Sequence, residues 1–307
     1  MILTVTLNAA LDLTYRTPSL VPHSTHRVAE VVERPGGKGV NVSRVLSALG
    51  HDTVATGFLG GRTGEDVRAL LARLAPRVTD AFVPVAGATR RTVAVADERA
   101  GDTTQFNEPG PQVTGAEWQD FTVAYGELLA GADVVALCGS LPPGVPVGAY
   151  AQLVRQARAA AVPVLLDTSG EPLRRGVAAR PDLVKPNADE LARLTGAREP
   201  LRATRDARRR GARSVVASLG PEGLLAVTPE GTWRAAPPAP VAGNPTGAGD
   251  SAVAGLLSAL VEGLPWPDRL GRAVALSVAT VRAPAAGEFD AASYEELLPR
   301  VTVSGQA

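Results

Sequence analysis

The stretch "VPVLLDTSGEPLRRGVAARPDLVKPNADELARLTG", residues 162 to 196, contains two short apolar runs, and each run is followed by polar, turn-forming residues. The runs "VPVLLD" (162–167) and "DLVK" (182–185) are typical of strands that are buried on both faces. In "ADELARLTG" (188–196) the apolar residues lie three and four apart, as in an amphipathic helix. This alternation predicts a parallel sheet that is covered by helices on both sides.

The same alternation extends over most of the 307 residues. Further strands are predicted at 2–7, 52–59, 133–138 and 214–219. Further helices are predicted at 39–50, 64–74 and 148–160. The predicted fold class is therefore α/β with a mostly parallel sheet, and we expect residues 1–307 to form a single domain.

Two segments depart from this rhythm. "HRVAEVVER" (26–34) and "RTVAVADE" (91–98) alternate apolar and polar residues, which is the pattern of a sheet with one face in water. We predict that they leave the main sheet as a small lid, inserted at about 12–34 and 89–106. Such a lid would shield a reaction that water threatens, and the alternative is an ordinary hairpin insertion.

The charge balance argues against polyanionic partners. The chain has 31 basic and 31 acidic residues, so no net positive field attracts nucleic acid or an anionic membrane, and small molecules are the favoured partners. Cys138 is the single cysteine, which excludes an intrachain disulfide and suits a reducing cytosol. We expect it to be a small buried hydrophobe. The first residues lack a basic leader, and no apolar run approaches the ~18 residues of a membrane span, so we expect a cytoplasmic protein.

Lysine and asparagine are rare in this chain. The two lysines are Lys38 and Lys185, and there are five asparagines. All seven lie in motifs that contain glycine or proline. Arginine does not replace a lysine that must act as a compact point charge, and an asparagine near a turn can hold a left-handed backbone or a fixed amide. These residues are therefore candidates for functional positions. The five asparagines are Asn8, Asn41, Asn107, Asn187 and Asn244.

Polar segments follow five of the predicted strands. In open α/β sheets, ligands bind beyond the carboxyl ends of the strands, so these segments together predict a site. They are residues 8–12, 138–144, 167–170, 185–190 and 218–223.

The stretch "NPTGAGDSAVAGLLSALVEGL" (244–264) reads as a loop that runs into a helix, with Thr246 as the expected N-cap. Unpaired amides at the start of such a helix bind anions, and Gly247 and Gly249 would let an oxyanion approach. Asp250 would repel a bound phosphate. It makes sense as the base that takes the proton of an attacking alcohol, while the amides of residues 247–250 hold charge on a transferring phosphoryl group.

Other interpretations of the glycine motifs are weaker. "GAGDSA" also matches the dinucleotide fingerprint of a Rossmann dehydrogenase, but a proline-rich connector precedes it where a buried strand should lie. Gly36, Gly37 and Lys38 do not form a Walker loop, because Gly39 follows instead of serine or threonine. None of the three histidines lies in a candidate site segment, so an aspartate base is favoured over a histidine.

Several motifs occur in an order that resembles the ribokinase-like (PfkB) carbohydrate kinases. They are "PGGKGVNVSRVLSALG", "TRRTV", "FNEPGP", "GSLPPG", "LDTSG", "VKPNADEL", "SLGPEG" and "GAGD". "NEPGP", "GSLPPG" and "LDTSG" are similar to the phosphosugar branch, which includes 1-phosphofructokinase, tagatose-6-phosphate kinase and the minor 6-phosphofructokinase. The resemblance runs from about residue 6 to residue 264. It implies a three-layer α/β/α sandwich with a small β-sheet lid, and the use of ATP and Mg²⁺.

The resemblance also implies roles for individual residues. Asp250 would be the catalytic base, and the anion hole would comprise Gly247, Ala248 and Gly249. Mg²⁺ would be held, through water, by Asn187 and Glu190. The sugar phosphate would be bound by Asp12, Gly37, Lys38, Asn41, Arg90 and Ser140. The nucleotide would be bound by Lys185, Asn187, Ser218, Gly220 and Gly223.

The expected reaction is the phosphorylation of a ketohexose phosphate to the bisphosphate, with fructose 1-phosphate or tagatose 6-phosphate as the first candidates. The alternatives are a fructose-6-phosphate kinase, a kinase of an unphosphorylated sugar or nucleoside, and a non-catalytic sugar-phosphate sensor. The apolar face of the lid strands predicts a homodimer formed through the lid. The sequence "RAPAAGEFD" (282–290) replaces the "PGT"-like turn that is common near the adenine in the family, so the adenine contacts are not assigned.

Overall fold

The computed structural model describes residues 1–28, 30–241, 243–283 and 285–306. The predicted lid segment 12–34 and the segment 282–290 each include one residue, Ala29 and Pro284, that lies outside the described residues. The strands are β1 Ile2–Thr6, β2 Ala10–Thr17, β3 Val31–Gly36, β4 Thr53–Leu59, β5 Val78–Asp80, β6 Val83–Pro84, β7 Arg90–Asp97, β8 Asp102–Asn107, β9 Val134–Cys138, β10 Val164–Asp167, β11 Leu183–Val184, β12 Ser214–Ser218, β13 Leu224–Val227, β14 Thr232–Ala236 and β15 Thr302–Gln306. The helices are α1 Lys38–Ala48, α2 Gly61–Leu74, α3 Gly115–Leu129, α4 Ala149–Ala159, α5 Gly170–Ala178, α6 Ala188–Thr195, α7 Pro200–Arg209, α8 Ala248–Val261, α9 Trp266–Val281 and α10 Ala291–Leu297.

The large sheet runs in the order β15-β14-β13-β12-β11-β10-β9-β1-β4-β5, and β6 pairs with β4. The strands from β12 to β5 pair in parallel, whereas β13, β14 and β15 pair antiparallel at one edge. The predicted α/β class with a mostly parallel sheet is confirmed.

Both faces of this sheet are buried, which explains the continuous apolar runs. In β9, Val135 and Leu137 belong to a core cluster with α3, α4 and α5. Their neighbours Val134, Ala136 and Cys138 belong to the opposite cluster, with α1, α8 and α9. Since successive side chains of a strand point to opposite faces, a strand between two helical layers must be apolar at every position. The Cys138 thiol is fully buried, as predicted.

Helix α8 is held by close packing against α9. A β-carbon on Gly255 would lie 2.7 Å from the Cα of Ala273, so the two helix backbones approach closely at this glycine. Helix α8 also packs against α1. These contacts determine where the first turn of α8, which carries Asp250, meets the sheet.

The predicted N-cap of α8 at Thr246 is wrong. The N-cap is Gly247, whose φ of 85° lies in the left-handed region that glycine adopts most readily. Asn244 Oδ1 accepts a hydrogen bond from the Thr246 amide at 3.0 Å, so an asparagine turn uses that amide before the helix begins. The helix therefore begins at Ala248, one residue later than a threonine cap at 246 requires.

The lid is a second, four-stranded sheet in the order β3-β2-β7-β8, with β2 and β7 parallel and the outer pairs antiparallel. The strand predicted at 26–34 is wrong at its start, because β3 spans Val31–Gly36. His26 instead meets the backbone of Val21, which draws this part of the chain into a loop. Pro35 is tolerated in β3 because β3 is an edge strand.

The strands β1, β9, β10, β11 and β12 are consecutive in the sheet, so their carboxyl ends meet at one edge. β1 has β4 on one side and β9 on the other, and the chain order reverses there. Ligands of open α/β sheets bind at such a switch point. Among the described residues, no helix combines the length and the apolar character that crossing a membrane requires.

Candidate active site

Asp250 lies in the first turn of α8 and is 7% exposed. Its Oδ2 accepts a hydrogen bond from Asn41 Nδ2 of α1 at 2.9 Å. Burial raises the pKa of Asp250 to about 6, although Lys38 opposes the shift. A carboxylate that titrates near neutrality, held by one fixed amide, is suited to accept a proton from a bound hydroxyl.

The first turn of α8 lies beside the ammonium group of Lys185. A β-carbon on Gly249 would lie 3.5 Å from Lys185 Nζ, so this ammonium group lies beside the backbone at residue 249. At Gly247, a β-carbon would lie 2.9 Å from the Cα of Ala286, which leaves no room for a side chain. Backbone amides and a buried ammonium therefore converge next to Asp250. The predicted glycines and Ala248 occupy this turn.

Asp167, at the carboxyl end of β10, pairs with both lysines of the chain. Its Oδ1 lies 3.0 Å from Lys38 Nζ, and its Oδ2 lies 3.5 Å from Lys185 Nζ. Burial favours a raised pKa for Asp167, but Lys185 and Lys38 outweigh it and hold the pKa below its usual value. Burial likewise opposes the charge on Lys38, but Asp167 and Asp250 hold the Lys38 pKa above its usual value. Asp167 and Lys38 therefore favour their charged forms, although Asp167 is buried.

Asp12, in the lid strand β2, faces the same cleft. Burial raises its pKa to about 6, while Arg90 lowers it. A β-carbon on Gly36 would overlap the Asp12 carboxylate, so glycine at position 36 makes room for this side chain. Gly37, with a φ of 104°, is the N-cap of α1 and leads into Lys38 and Asn41. The fold thus brings the lid carboxylate next to the start of α1.

Arg90 and Ser140 are both held in position by hydrogen bonds with Asn8. Arg90 Nε donates to the Asn8 carbonyl at 3.1 Å. Asn8 Nδ2 donates to Ser140 Oγ at 3.2 Å and to the Pro109 carbonyl at 3.1 Å. Asn8, in the predicted segment 8–12, therefore connects this segment to the motifs "NEPGP" and "GSLPPG". The Arg90 guanidinium keeps an exposed portion on the cleft side of the lid.

Asn187 and Glu190 form a capping box at the start of α6. Glu190 Oε2 accepts from the Asn187 amide at 2.9 Å, and Asn187 Oδ1 accepts from the Glu190 amide at 2.8 Å. A helix cap explains both side chains without a metal. No group of three or more His, Cys, Asp or Glu side chains within the described ranges is arranged to hold a metal ion directly. Glu190 uses Oε2 in this cap, so its other carboxylate oxygen fits the water-mediated binding of a magnesium ion that keeps most of its waters.

Ser218, Gly220 and Gly223 form the turn that follows β12. Ser218 bridges to Asn187 of the neighbouring strand end, and its amide donates to the Pro186 carbonyl at 2.9 Å. Gly220 and Gly223 both have positive φ, and the Leu219 amide closes the turn on the Gly223 carbonyl at 2.9 Å. These residues lie on the far side of Lys185 from the lid. The structure therefore separates the predicted sugar residues from the predicted nucleotide residues, with Asp250 and Lys185 between them.

Sequence reasoning did not assign roles to four residues that the structure places in or beside the site. Asp167 and Asn8 lie in two of the five strand-end segments, and Asn8 also belongs to the rare asparagines, so both could have been found. Arg44 is 5% exposed in α1 and pairs with Glu288 at 2.8 Å. No sequence signal links these last two residues, because 244 positions separate them.

Comparison with known proteins agrees with this geometry. The sequence matches the pfkB family carbohydrate kinases over residues 3–291. A structure of phosphofructokinase-2 from Escherichia coli in complex with substrates and products is 31% identical, with a TM-score of 0.91 over 97% of this chain and 98% of that chain. The tetrameric inhibited form of the same enzyme gives a TM-score of 0.89 with the same identity and coverage. A protein described as a possible 1-phosphofructokinase from Thermotoga maritima is 28% identical, with a TM-score of 0.87 over 100% of this chain and 99% of that chain.

The raised pKa of Asp250 predicts a pH-dependent stability difference. Because its pKa is about 6 in the folded protein and 3.8 for an ordinary aspartate, the protonated carboxyl stabilises the fold below about pH 4, and this contribution is lost as the pH rises through 6. In Asp250→Asn the free energy of unfolding should therefore rise relative to the wild type between pH 4 and 7, by up to about 3 kcal/mol. Urea unfolding at several pH values measures the difference. A difference that does not grow with pH over this interval would contradict the buried carboxylate.

Proposed function

Since the chain belongs to the pfkB family of carbohydrate kinases, we propose that it transfers the γ-phosphoryl group of ATP to a ketohexose phosphate and forms the bisphosphate. Fructose 1-phosphate and tagatose 6-phosphate are the preferred substrates in this proposal, and fructose 6-phosphate is the alternative. The observation that supports the proposal is the position of Asp250. Its buried carboxylate accepts a hydrogen bond from Asn41 and lies next to the first amides of α8 and to Lys185.

The proposed mechanism follows from that position. Asp250 removes the proton of the sugar hydroxyl as its oxygen forms a bond to the γ-phosphorus, and the bond from that phosphorus to the bridging oxygen of ADP breaks. The amides at residues 247–250 and the Lys185 ammonium stabilise the charge on the transferring phosphoryl group. The proton remains on Asp250 until it is released to solvent after transfer.

The positive charges of Arg90 and Lys38, on the proposed sugar side of the site, favour a substrate that already carries phosphate. Arg90 and Lys38 both face the cleft, with half-buried side chains. The Arg90 guanidinium is held at Nε by the Asn8 carbonyl, and its Nη1 lies 3.4 Å from both Thr92 Oγ1 and the Glu108 carbonyl. A guanidinium fork matches two phosphate oxygens, which supports Arg90 as the phosphate ligand. An unphosphorylated sugar or nucleoside would bring no anionic group to meet these positive charges.

ATP and Mg²⁺ complete the proposal. Lys185 would steady the nucleotide phosphates, and the turn of Ser218, Gly220 and Gly223 would line the nucleotide site. When bound, Mg²⁺ would neutralise phosphate charge, with Asn187 and Glu190 as its water-mediated ligands. We propose a cytoplasmic site of action, which the single, buried thiol of Cys138 supports.

We also propose a homodimer formed through the lid. One face of the lid lines the cleft, and the other carries apolar residues whose register places them together, including Tyr15, Val31, Val93 and Phe106. Phe106 is 60% exposed and Val31 is 49% exposed. Apolar residues clustered on an exposed sheet face indicate an interface, and phosphofructokinase-2 from Escherichia coli forms a tetramer in its inhibited state.

The catalytic role of Asp250 is tested with a panel of sugar phosphates, free sugars and nucleosides and with measurement of ADP release. Wild-type protein should form ADP and a bisphosphate with a ketohexose phosphate. Asp250→Asn should lower kcat by about 10² to 10⁴, the usual contribution of a positioned base, while sugar binding is largely retained. Unchanged turnover in Asp250→Asn would refute Asp250 as the catalytic base. If the wild-type protein binds sugar phosphates but releases no ADP, the protein is a non-catalytic sensor and the kinase proposal is wrong.

The role of Arg90 is tested against its neighbour. Arg90→Ala should raise KM for the sugar phosphate by about 10-fold to 100-fold, because it removes a charged hydrogen-bonding partner. Arg91→Ala is the matched control, since Arg91 pairs with Glu108 of the lid at 3.2 Å and should affect KM little. Equal effects of the two substitutions, or a preference for an unphosphorylated acceptor, would contradict the proposed substrate class.

The lid dimer is tested by sedimentation. Phe106→Glu should convert the dimer to a monomer, because it places a charge in an apolar contact. Val123→Glu is the control, since Val123 is an exposed apolar residue of α3, at 54% exposure, outside the lid. A wild-type monomer, or a variant dimer as tight as the wild type, would contradict the interface.

A further inference from the structure

Glu288 joins the lid to the body of the molecule through a single carboxylate oxygen. Its Oε1 accepts from Arg34 Nε of the lid strand β3 at 2.7 Å and from Arg44 Nη2 of α1 at 2.8 Å. Among the described residues, the Arg34 contact is the one ion pair that connects a lid strand to the body. The catalytic scheme proposed above assigns no role to any of these three side chains.

On the side of the body, Arg44 and the backbone next to Glu288 are closely packed. Arg44 is 5% exposed, and its Nη1 donates to the Ala286 carbonyl at 2.7 Å. A β-carbon on Gly287 would lie 2.5 Å from Arg44 Nη1 and 2.9 Å from Asn41 Oδ1, so the backbone at 287 packs directly on the asparagine that binds Asp250. The segment that carries Glu288 is therefore fixed against the catalytic group.

The lid half is more open. Arg34 is half-buried and lies directly opposite Asp12 in the pairing of β3 with β2. Both residues line a cleft of about 560 Å³ between the lid and the segments around residues 244 and 283. Any movement that lifts β3 from the body carries the Asp12 carboxylate with it and breaks the Arg34–Glu288 contact.

We propose that Arg34 and Glu288 form a latch that holds the lid over the sugar site, and that Glu288 is a positioning residue for the kinase reaction. The latch rests on the function proposed above, because closing the lid matters for a sugar bound between Asp12 and Asp250. Glu288 accepts hydrogen bonds from Arg34 of the lid and from Arg44 of the body. Closure of the lid on the sugar is thereby coupled to the arrangement of Asn41 and Asp250.

The latch predicts a specific kinetic pattern. If it stabilises the closed lid, its loss lowers the fraction of competent enzyme, and the apparent affinity for the sugar falls by that fraction. Arg34→Gln and Glu288→Gln should each raise KM for the sugar phosphate by about 5-fold to 20-fold, as expected for one charged hydrogen bond. KM for ATP should change less than about twofold, since the proposed nucleotide residues lie outside the lid. Arg34→Lys should recover part of the loss.

Controls separate a latch from a general structural role. The double variant Arg34→Gln with Glu288→Gln should have the KM of Glu288→Gln alone, because Glu288→Gln already removes the contact with Arg34 as well as the ion pair with Arg44. Glu262→Gln is the matched control: Glu262 also pairs with an arginine, Arg272 at 2.7 Å, and with His51, but within the body. This control should leave both KM values unchanged. Additive KM effects, or effects equal to those of the control, would overturn the latch.

A second measurement does not depend on the substrate. Hydrogen exchange of the ligand-free protein should show faster exchange of the β2 and β3 amides in Arg34→Gln and Glu288→Gln than in the wild type, with Glu262→Gln unchanged. If no ketohexose phosphate is phosphorylated, the proposed substrate has failed, and this exchange difference still tests the latch. Unchanged exchange in both latch variants would refute it.

Discussion

The buried carboxylate of Asp167 is the interaction on which the site depends. Lys38 and Lys185 reach it from opposite sides, one from the start of α1 and the other from the end of β11. A buried charge is costly unless it is paired, and here each charge is compensated by another within about 3.5 Å. Asp167 thereby holds two lysine side chains in place, one for the proposed sugar and the other for the proposed phosphates.

The second constraint is the start of α8. A left-handed glycine at 247, packed on Ala286, turns the chain so that the first amides of the helix and the Asp250 carboxylate face the same space. The anion site and the base would conflict if a phosphate occupied the carboxylate position. They are compatible because Asn41 holds the carboxylate to the side of α1, while Lys185 lies beside Gly249. The direction of the helix follows from its tight packing on α9.

The lid adds a third element to the site, beside the Asp167 cluster and the start of α8. It brings Asp12 over the edge of the sheet, and Glu288 connects it to the backbone that packs on Asn41. Asp12 and Asp250 both have pKa values raised to about 6 by burial, although one belongs to the lid and the other to the body. Two carboxylates thus titrate in the same range for the same physical reason.

Local patterns in the sequence were sufficient for the class of the fold, because a strand between two helical layers is apolar at every position and a helix repeats every three to four residues. They were also sufficient to locate the strand-end segments, including those with Asn8, Asp167 and Lys185. Local patterns failed where a side chain two to five residues away binds a backbone atom and forms a turn or loop. Asn244 captures the Thr246 amide and displaces the helix cap, and the loop closed at His26 shortens the strand predicted at 26–34.

By itself, the sequence determined which chemical groups are present and which end of each strand carries them, since both follow from residue type and local periodicity. Only the tertiary structure decided that Asp167 holds both lysines, that Asn41 holds Asp250, and that Glu288 connects the lid to the body. Each of these contacts joins elements far apart in the chain, and their distances and burial are set by packing of the sheet, α1 and α8. Burial in turn sets the charge state of the carboxylates, which no local pattern contains.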